Sequence, residues 1–254
     1  MRTKSLSIGY RSRSKVQVIT QNADVELGAG RLVCLVGRNG IGKSTLLRTL
    51  SGMQPALGGD IFVEGMPMQD IPSRELAKKI SLVLTERPPT SNLTVQELIA
   101  LGRQPYTNWI GKLRQEDMQQ IRVAMEQSEL CDLGDKRCDE LSDGQFQRAM
   151  ICRALAQDTD IIILDEPTAH LDVQHKVETF KLLRRISREL HRAILISTHE
   201  IQLAAQIADE LWLMTENGIY CDTPGNILKT NGLNLLFDAN SVEFDAITMQ
   251  FIMK

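Results

Sequence analysis

The sequence predicts an α/β fold: a core on a mainly parallel sheet, an N-terminal antiparallel β subdomain and an inserted α-helical subdomain. Three observations carry it. Apolar runs at 33–36, 160–164 and 193–197 have the length of strands buried on both faces, and each ends in glycine or polar residues. The first of them enters a glycine-rich loop that opens a helix over 45–50. Segments 6–10, 17–27 and 60–63 read as strands flanking that loop, whereas 94–130 and 144–156 carry helical patterns.

The loop Gly37-Arg38-Asn39-Gly40-Ile41-Gly42-Lys43-Ser44 fits the P-loop pattern G-x-x-x-x-G-K-[ST]. Its glycines let the backbone fold tightly and turn N–H groups inward on a polyphosphate. Lys43 can reach the terminal phosphates and the Ser44 hydroxyl can ligate Mg²⁺. Thr45 begins a helix whose positive end faces the anion.

The strand at 160–164 delivers Asp165 and Glu166 to its C-terminal end, where ligands sit in open α/β sheets. Asp165 is placed to hold Mg²⁺, directly or through water. Glu166 is the adjacent carboxylate, suited to orient or deprotonate an attacking water. A third strand brings His199, 34 residues past Asp165, to the same edge, within reach of a γ-phosphate. The other histidines (His170, His175, His191) have no comparable placement, and no pair of them has metal-ligand spacing.

A second helix start follows Leu141-Ser142-Asp143-Gly144-Gln145. Ser142 is placed as N-cap, and Phe146, Met150, Ile151, Ala154 and Leu155 share one apolar face. A serine hydroxyl with free N–H groups makes an anion site, although such a serine usually only caps its own helix. One nucleotide needs one cradle, so two per chain suggest that a nucleotide is shared between two copies.

In this order, the phosphate loop, Leu-Ser-x-Gly-Gln, Leu-Asp-Glu-Pro and the strand-end histidine resemble the ATP-binding cassette ATPases, from Leu6 to about Gly218. The resemblance implies a P-loop NTPase core, with Arg38, Asn39 and Ile41 completing the phosphate loop. It assigns Ser142, Gly144 and Gln145 to the ATP of the opposite subunit, in a head-to-tail homodimer enclosing two Mg-ATP. Tyr10, 27 residues ahead of Gly37, is similar to the aromatic that stacks on adenine, and Asp172 to the loop joining the two sites. Where the family usually has a metal-touching Gln, this chain has Glu86, expected to keep that role with altered metal affinity. Asp143 stands where Gly is commonest, and its carboxylate is expected to point away from phosphate.

Ala100-Leu101-Gly102-Arg103-Gln104-Pro105-Tyr106-Thr107, with Thr94-Val95-Gln96-Glu97-Leu98 before it and Asp117 after, is similar to cassettes of siderophore, haem and cobalamin importers. That implies a polytopic transmembrane permease as partner, docked on the helical subdomain, and indirectly a substrate-binding protein. The expected division is a core at 1–86 and 157–220, a helical subdomain at 87–156 and a C-terminal tail at 221–254. Trp109 and Tyr106 are candidates for docking or for core packing.

The composition fits a single large domain: 254 residues, 43% apolar. A net charge of −3 gives no electrostatic reason to expect nucleic acid or anionic membrane. No apolar stretch approaches the roughly 20 residues that span a bilayer, and the N-terminus lacks a signal-peptide core. The expectation is a soluble cytoplasmic protein held peripherally at the inner face of the membrane through its partner. Cys34, Cys131, Cys138, Cys152 and Cys221 form no Cys-x-x-Cys and read as reduced thiols. Soluble cassettes of repair, translation or cluster assembly usually add a second cassette, a coiled insertion or a basic surface, none of which this sequence has. A GTP switch lacks its guanine motif here. Beyond 222, the sequence suggests a helix over 227–237 and a hairpin or irregular tail over 242–253.

Overall fold

The computed structural model describes residues 1–12, 15–85, 92–237, 242–245, 248 and 250–253. β1 (Arg2–Arg11) and β2 (Val16–Ala23) form an antiparallel hairpin, with Tyr10 opposite Gln17. β3 (Leu32–Gly37) then leads through the phosphate loop into α1 (Lys43–Leu50). β4 (Gly58–Val63) and β5 (Met66–Pro67) return to β1, giving the sheet order β2-β1-β4-β5. β1 is longer than the sequence suggests because its first half pairs with β4 and its second with β2. β2 stops at Ala23, short of the expected 27. Beyond it Val25 and Leu27 stay buried: the Val25 carbonyl accepts from the Thr3 N–H and its N–H donates to Thr3 Oγ1, while Leu27 and Met1 exchange a pair of backbone bonds.

α2 (Ser73–Leu76) precedes β6 (Ile80–Val83). The helical block holds α3 (Val95–Ala100), a 3₁₀ turn at Leu101–Tyr106, α4 (Gln115–Gln127) and α5 (Asp143–Ala156). After it come β7 (Ile161–Asp165), α6 (Val173–Glu189), β8 (Ala193–Ser197), α7 (Ile201–Ile207), β9 (Glu210–Thr215) and β10 (Gly218–Asp222). The second sheet runs β10-β9-β3-β8-β7-β6 and is parallel except for β10.

The all-apolar strands are explained by burial on both faces. Successive side chains alternate, so Cys34, Ile162, Leu164, Ile194 and Ile196 join a core with the helical block and α6. Val33, Leu35, Ile163 and Leu195 join the opposite core with α1 and the antiparallel sheet. All five cysteines are free thiols; Cys34, Cys138 and Cys152 are buried, and burial pushes the Cys152 thiol up to about 12.

The segment 94–130 is helical only in parts, with an irregular stretch at 107–114. There Trp109 is 94% exposed, which excludes core packing, while Tyr106 is partly covered and stacks on Arg103 with 3.9 Å from guanidinium to ring centre. Arg103 is itself a clip. Its Nε donates to Asp117 Oδ1 (3.0 Å) and its Nη1 to the Ala156 carbonyl (2.7 Å), while Asp117 Oδ2 accepts from the Arg114 N–H (2.9 Å). The Gly-Arg-x-Pro-Tyr…Asp pattern therefore fastens the start of α4 to the end of α5. Arg103→Ala leaves a carboxylate that is 3% exposed without its cation. We expect a loss of about 3–5 kcal/mol in denaturant unfolding.

The expected helix over 227–237 is corrected. α8 (Pro224–Lys229) starts earlier, capped by Thr223 with Pro224 in its first turn, and Asn231 in the left-handed region (φ 52°) separates it from a 3₁₀ turn at Gly232–Leu236. β11 (Val242–Asp245) and β12 (Gln250–Met253) pair as the closing hairpin.

Candidate nucleotide site

The loop between β3 and α1 leaves Arg38, Asn39 and Gly40 exposed at the C-terminal edge of the parallel sheet. Gly42 caps α1 with φ 111°, and a Cβ there would come within 2.3 Å of Ile19 Cγ2, so only glycine fits. No side chain caps α1. Its first N–H groups, those of Lys43, Ser44 and Thr45, lack intrahelical acceptors and point out of the helix end. Lys43 is 5% exposed, and its Nζ donates to the carbonyls of Gly37 (2.9 Å) and Arg38 (3.3 Å). Burial holds this ammonium below the ordinary lysine range, against the pull of the Glu166 and Asp165 carboxylates. Tyr10, half exposed, has its hydroxyl 2.8 Å from Thr45 Oγ1.

β7 and β8 carry the carboxylates and the histidine to the same edge. Ser197 Oγ donates to Asp165 Oδ1 (2.6 Å) and accepts from the Glu166 N–H (2.9 Å), and Thr85 Oγ1 donates to the Asp165 carbonyl (2.8 Å). Glu166 takes φ 49°, a left-handed turn uncommon for a side-chain-bearing residue. Its Oε1 lies 3.9 Å from Lys43 Nζ and its Oε2 2.8 Å from His199 Nε2. Lys43, Asp165, Glu166 and His199 are thus gathered at one place, with Ser197 as a support that the sequence analysis did not single out.

The donors suit a hard divalent cation. Asp165 Oδ1 is engaged by Ser197, which leaves a second carboxylate oxygen, and Ser44 adds a hydroxyl in the first turn of α1. Among the described residues no group of three or more His, Cys, Asp or Glu could cage a metal. Magnesium here would therefore be shared with phosphate oxygens, which is its ordinary habit. Glu86, the third expected ligand, lies outside the described residues.

The second cradle is separate from the first. Ser142 Oγ accepts from the Gln145 N–H (3.2 Å) and Gln145 Oε1 from the Ser142 N–H (3.1 Å), a reciprocal cap on α5. No described contact joins Ser142, Gly144 or Gln145 to the loop at 37–44. Asp143 is exposed in the first turn of α5. Asp172 caps α6, and both the N–H and Nδ1 of His175 meet its Oδ1, which keeps the Asp172 carboxyl below the usual carboxylate range. His175 is not at the edge that carries His199; it lies in the first turn of α6, and its ring stands against Gly144. Helix packing between distant segments leaves no motif that could have signalled this.

The chain matches the profile of the family described as ABC transporter over residues 20–169. It is 35% identical over 255 aligned positions to an uncharacterised ABC transporter ATP-binding protein of Methanocaldococcus jannaschii, covering 100% of this chain and 87% of the relative. It is 34% identical over 206 residues to the iron(3+)-hydroxamate import ATP-binding protein of Bacillus subtilis, covering 81% of this chain and 75% of that one. Among solved structures, one described as a metal-chelate type ABC transporter in an inward-facing conformation superimposes with a TM-score of 0.78 at 25% identity, over 93% of this chain and 88% of that chain. With the family profile spanning more than half of the chain and a relative aligned along all of it, the chain belongs to the ABC transporter family and is an ATP-hydrolysing cassette.

Proposed function

We propose that the chain is the ATPase subunit of an importer of an iron–siderophore or a related haem- or cobalamin-sized chelate. Two copies enclose two Mg-ATP head to tail and drive a separate polytopic permease, supplied by a substrate-binding protein. The chain sits at the cytoplasmic face of the membrane through that permease; no described helix is long and apolar enough to cross a bilayer. The division into a core at 1–86 and 157–220, a helical subdomain at 87–156 and a tail at 221–254 belongs to this reading.

The observation that carries it is an open cleft of about 580 Å³ beside the helical block, lined among others by Met53, Leu76, Leu101, Pro105 and Arg153. Met53 is 62% and Leu101 44% exposed, so the cleft offers apolar rims next to β6 and α5, where a helix end from the membrane partner would seat. The sequence similarity to an iron(3+)-hydroxamate import protein favours the iron-chelate class.

In turnover, a water oxygen attacks the γ-phosphorus, the bond to the β–γ bridging oxygen breaks, and ADP leaves. Glu166 orients that water and takes its proton; Lys43 and the N–H groups at 43–45 hold the phosphoryl oxygens as charge shifts. His199 holds the γ-phosphate, Tyr10 supports the adenine, and Asp172 relays between the two sites. Asp165 and Ser44, with Glu86, would hold Mg²⁺, whose charge offsets that of the β- and γ-oxygens. Ser142, Gly144 and Gln145 complete the site of the other copy. Ser142→Arg then lowers turnover about 10²-fold or more while ATP still binds the first cradle, read by steady-state ATPase against binding of labelled ATP. Loss of ATP binding to the single chain would reverse the assignment of the two cradles.

A tagged chain purified from detergent-solubilised native membranes is expected to bring down a polytopic membrane protein in near-equal amount, identified by mass spectrometry. Recovery of soluble partners alone would overturn the transport reading in favour of a soluble cassette ATPase.

A further inference from the structure

A Cβ placed on Gly144 would lie 2.3 Å from His175 Cδ2 and 2.8 Å from its Cγ, closer than carbon atoms approach without contact strain. The same imidazole is held on its other edge, where Nδ1 lies 2.8 Å from Asp172 Oδ1, and its backbone N–H donates to the same oxygen at 2.9 Å. Nδ1 and Cδ2 are the two ring atoms bonded to Cγ, so the ring spans from the Asp172 loop to the start of α5. The first turn of α6, which carries His175, is also tied toward the hydrolytic edge. Lys176 Nζ lies 2.5 Å from Glu200 Oε1, and Glu200 follows His199. One turn further on, Arg148 of α5 meets Glu178 of α6 at 3.0 Å, continuing the same junction.

From this geometry we infer that His175 is a positioning residue: it sets where the Ser142–Gly144–Gln145 cradle stands relative to Asp172 and to the hydrolytic edge of its own chain. Position 144 is glycine at least in part because this imidazole occupies the space of a side chain. The cradle is useful only if it meets the nucleotide of the second copy in register, so the inference rests on the shared-nucleotide reading. A displacement of about 1 Å in such a contact can cost on the order of 10²-fold in rate. Removing the ring opens that gap without touching the phosphate loop.

The test compares His175→Ala and His175→Asn, with kcat read in the otherwise unaltered chain and dimerisation in the Glu166→Gln chain, after melting curves establish that each is folded. For His175→Ala we expect ATP affinity of the isolated chain within about 2-fold of the parent, kcat lower by about 10- to 100-fold, and ATP-driven dimerisation weaker by about 10-fold or more. His175→Asn keeps a planar amide whose nitrogen and oxygen are bonded to Cγ as Nδ1 and Cδ2 are, so it can donate to Asp172 and is expected to recover most of both. Parental kcat and dimerisation in His175→Ala would overturn the inference. So would a fall in single-chain ATP affinity parallel to kcat, or no recovery in His175→Asn. The shared-nucleotide reading fails by a different sign: Glu166→Gln with His175 intact stays monomeric in saturating Mg-ATP, which removes the inference along with it.

Discussion

Glu166→Gln yields a chain that binds ATP as the parent does and hydrolyses it about 10²–10⁴-fold more slowly. The substitution keeps the shape of the side chain, so the left-handed turn at 166 and the backbone bond to Ser197 survive. What it removes is a carboxylate that stands 3.9 Å from Lys43 and 2.8 Å from His199, the only described carboxylate facing both groups. An amide can still accept from the imidazole but cannot take a proton from water. Because the lost interaction belongs to the transition state, kcat and kcat/KM fall together while ATP affinity holds. Steady-state rates paired with equilibrium binding decide the matter. A kcat within about 3-fold of the parent would assign the base to another group.

Lys43→Ala produces the second large effect, and on a different quantity. ATP affinity and turnover both drop by about 10²–10³-fold, because the phosphate cradle loses its one buried cation. Fold stability changes little. Burial disfavours the charged amine in the chain without nucleotide, and its removal relieves that desolvation cost while giving up its bonds to the Gly37 and Arg38 carbonyls. Isothermal titration with ATP and a thermal melt of the same sample separate the two terms. An unchanged affinity would mean that the loop at 37–44 is not the phosphate cradle, and a large fall in melting temperature would make Lys43 a structural residue.

The sheet edge that gathers Lys43, Asp165, Glu166 and His199 was legible in the sequence because each of its parts is local. An apolar strand ending in Gly37, Asp165 or Ser197 fixes by itself which residue emerges at the sheet edge, and parallel pairing does the rest. The Ser142 cap was legible for the same reason, since a cap and its Gln145 partner lie three residues apart. The helix near the C-terminus was misplaced although its signals were present: Thr223-Pro224 is a cap followed by a first-turn proline, and Asn231 is a left-handed stop. Other features depend on contacts between segments far apart in the chain. Ser197 bridging Asp165 and Glu166, Arg103 reaching Ala156, and His175 standing on Gly144 follow from packing that no spacing encodes. Trp109 belongs there too: its exposure depends on what does not cover it.

On the proposed reading a bound nucleotide is enclosed between the 37–44 loop of one copy and the Ser142 helix start of another. Native mass spectrometry of Glu166→Gln in saturating Mg-ATP tests it most directly by counting chains and nucleotides in one species. We expect a species of two chains and two ATP, absent when Ser142→Arg is added. A single chain holding one ATP as the sole nucleotide-bound species would contradict it.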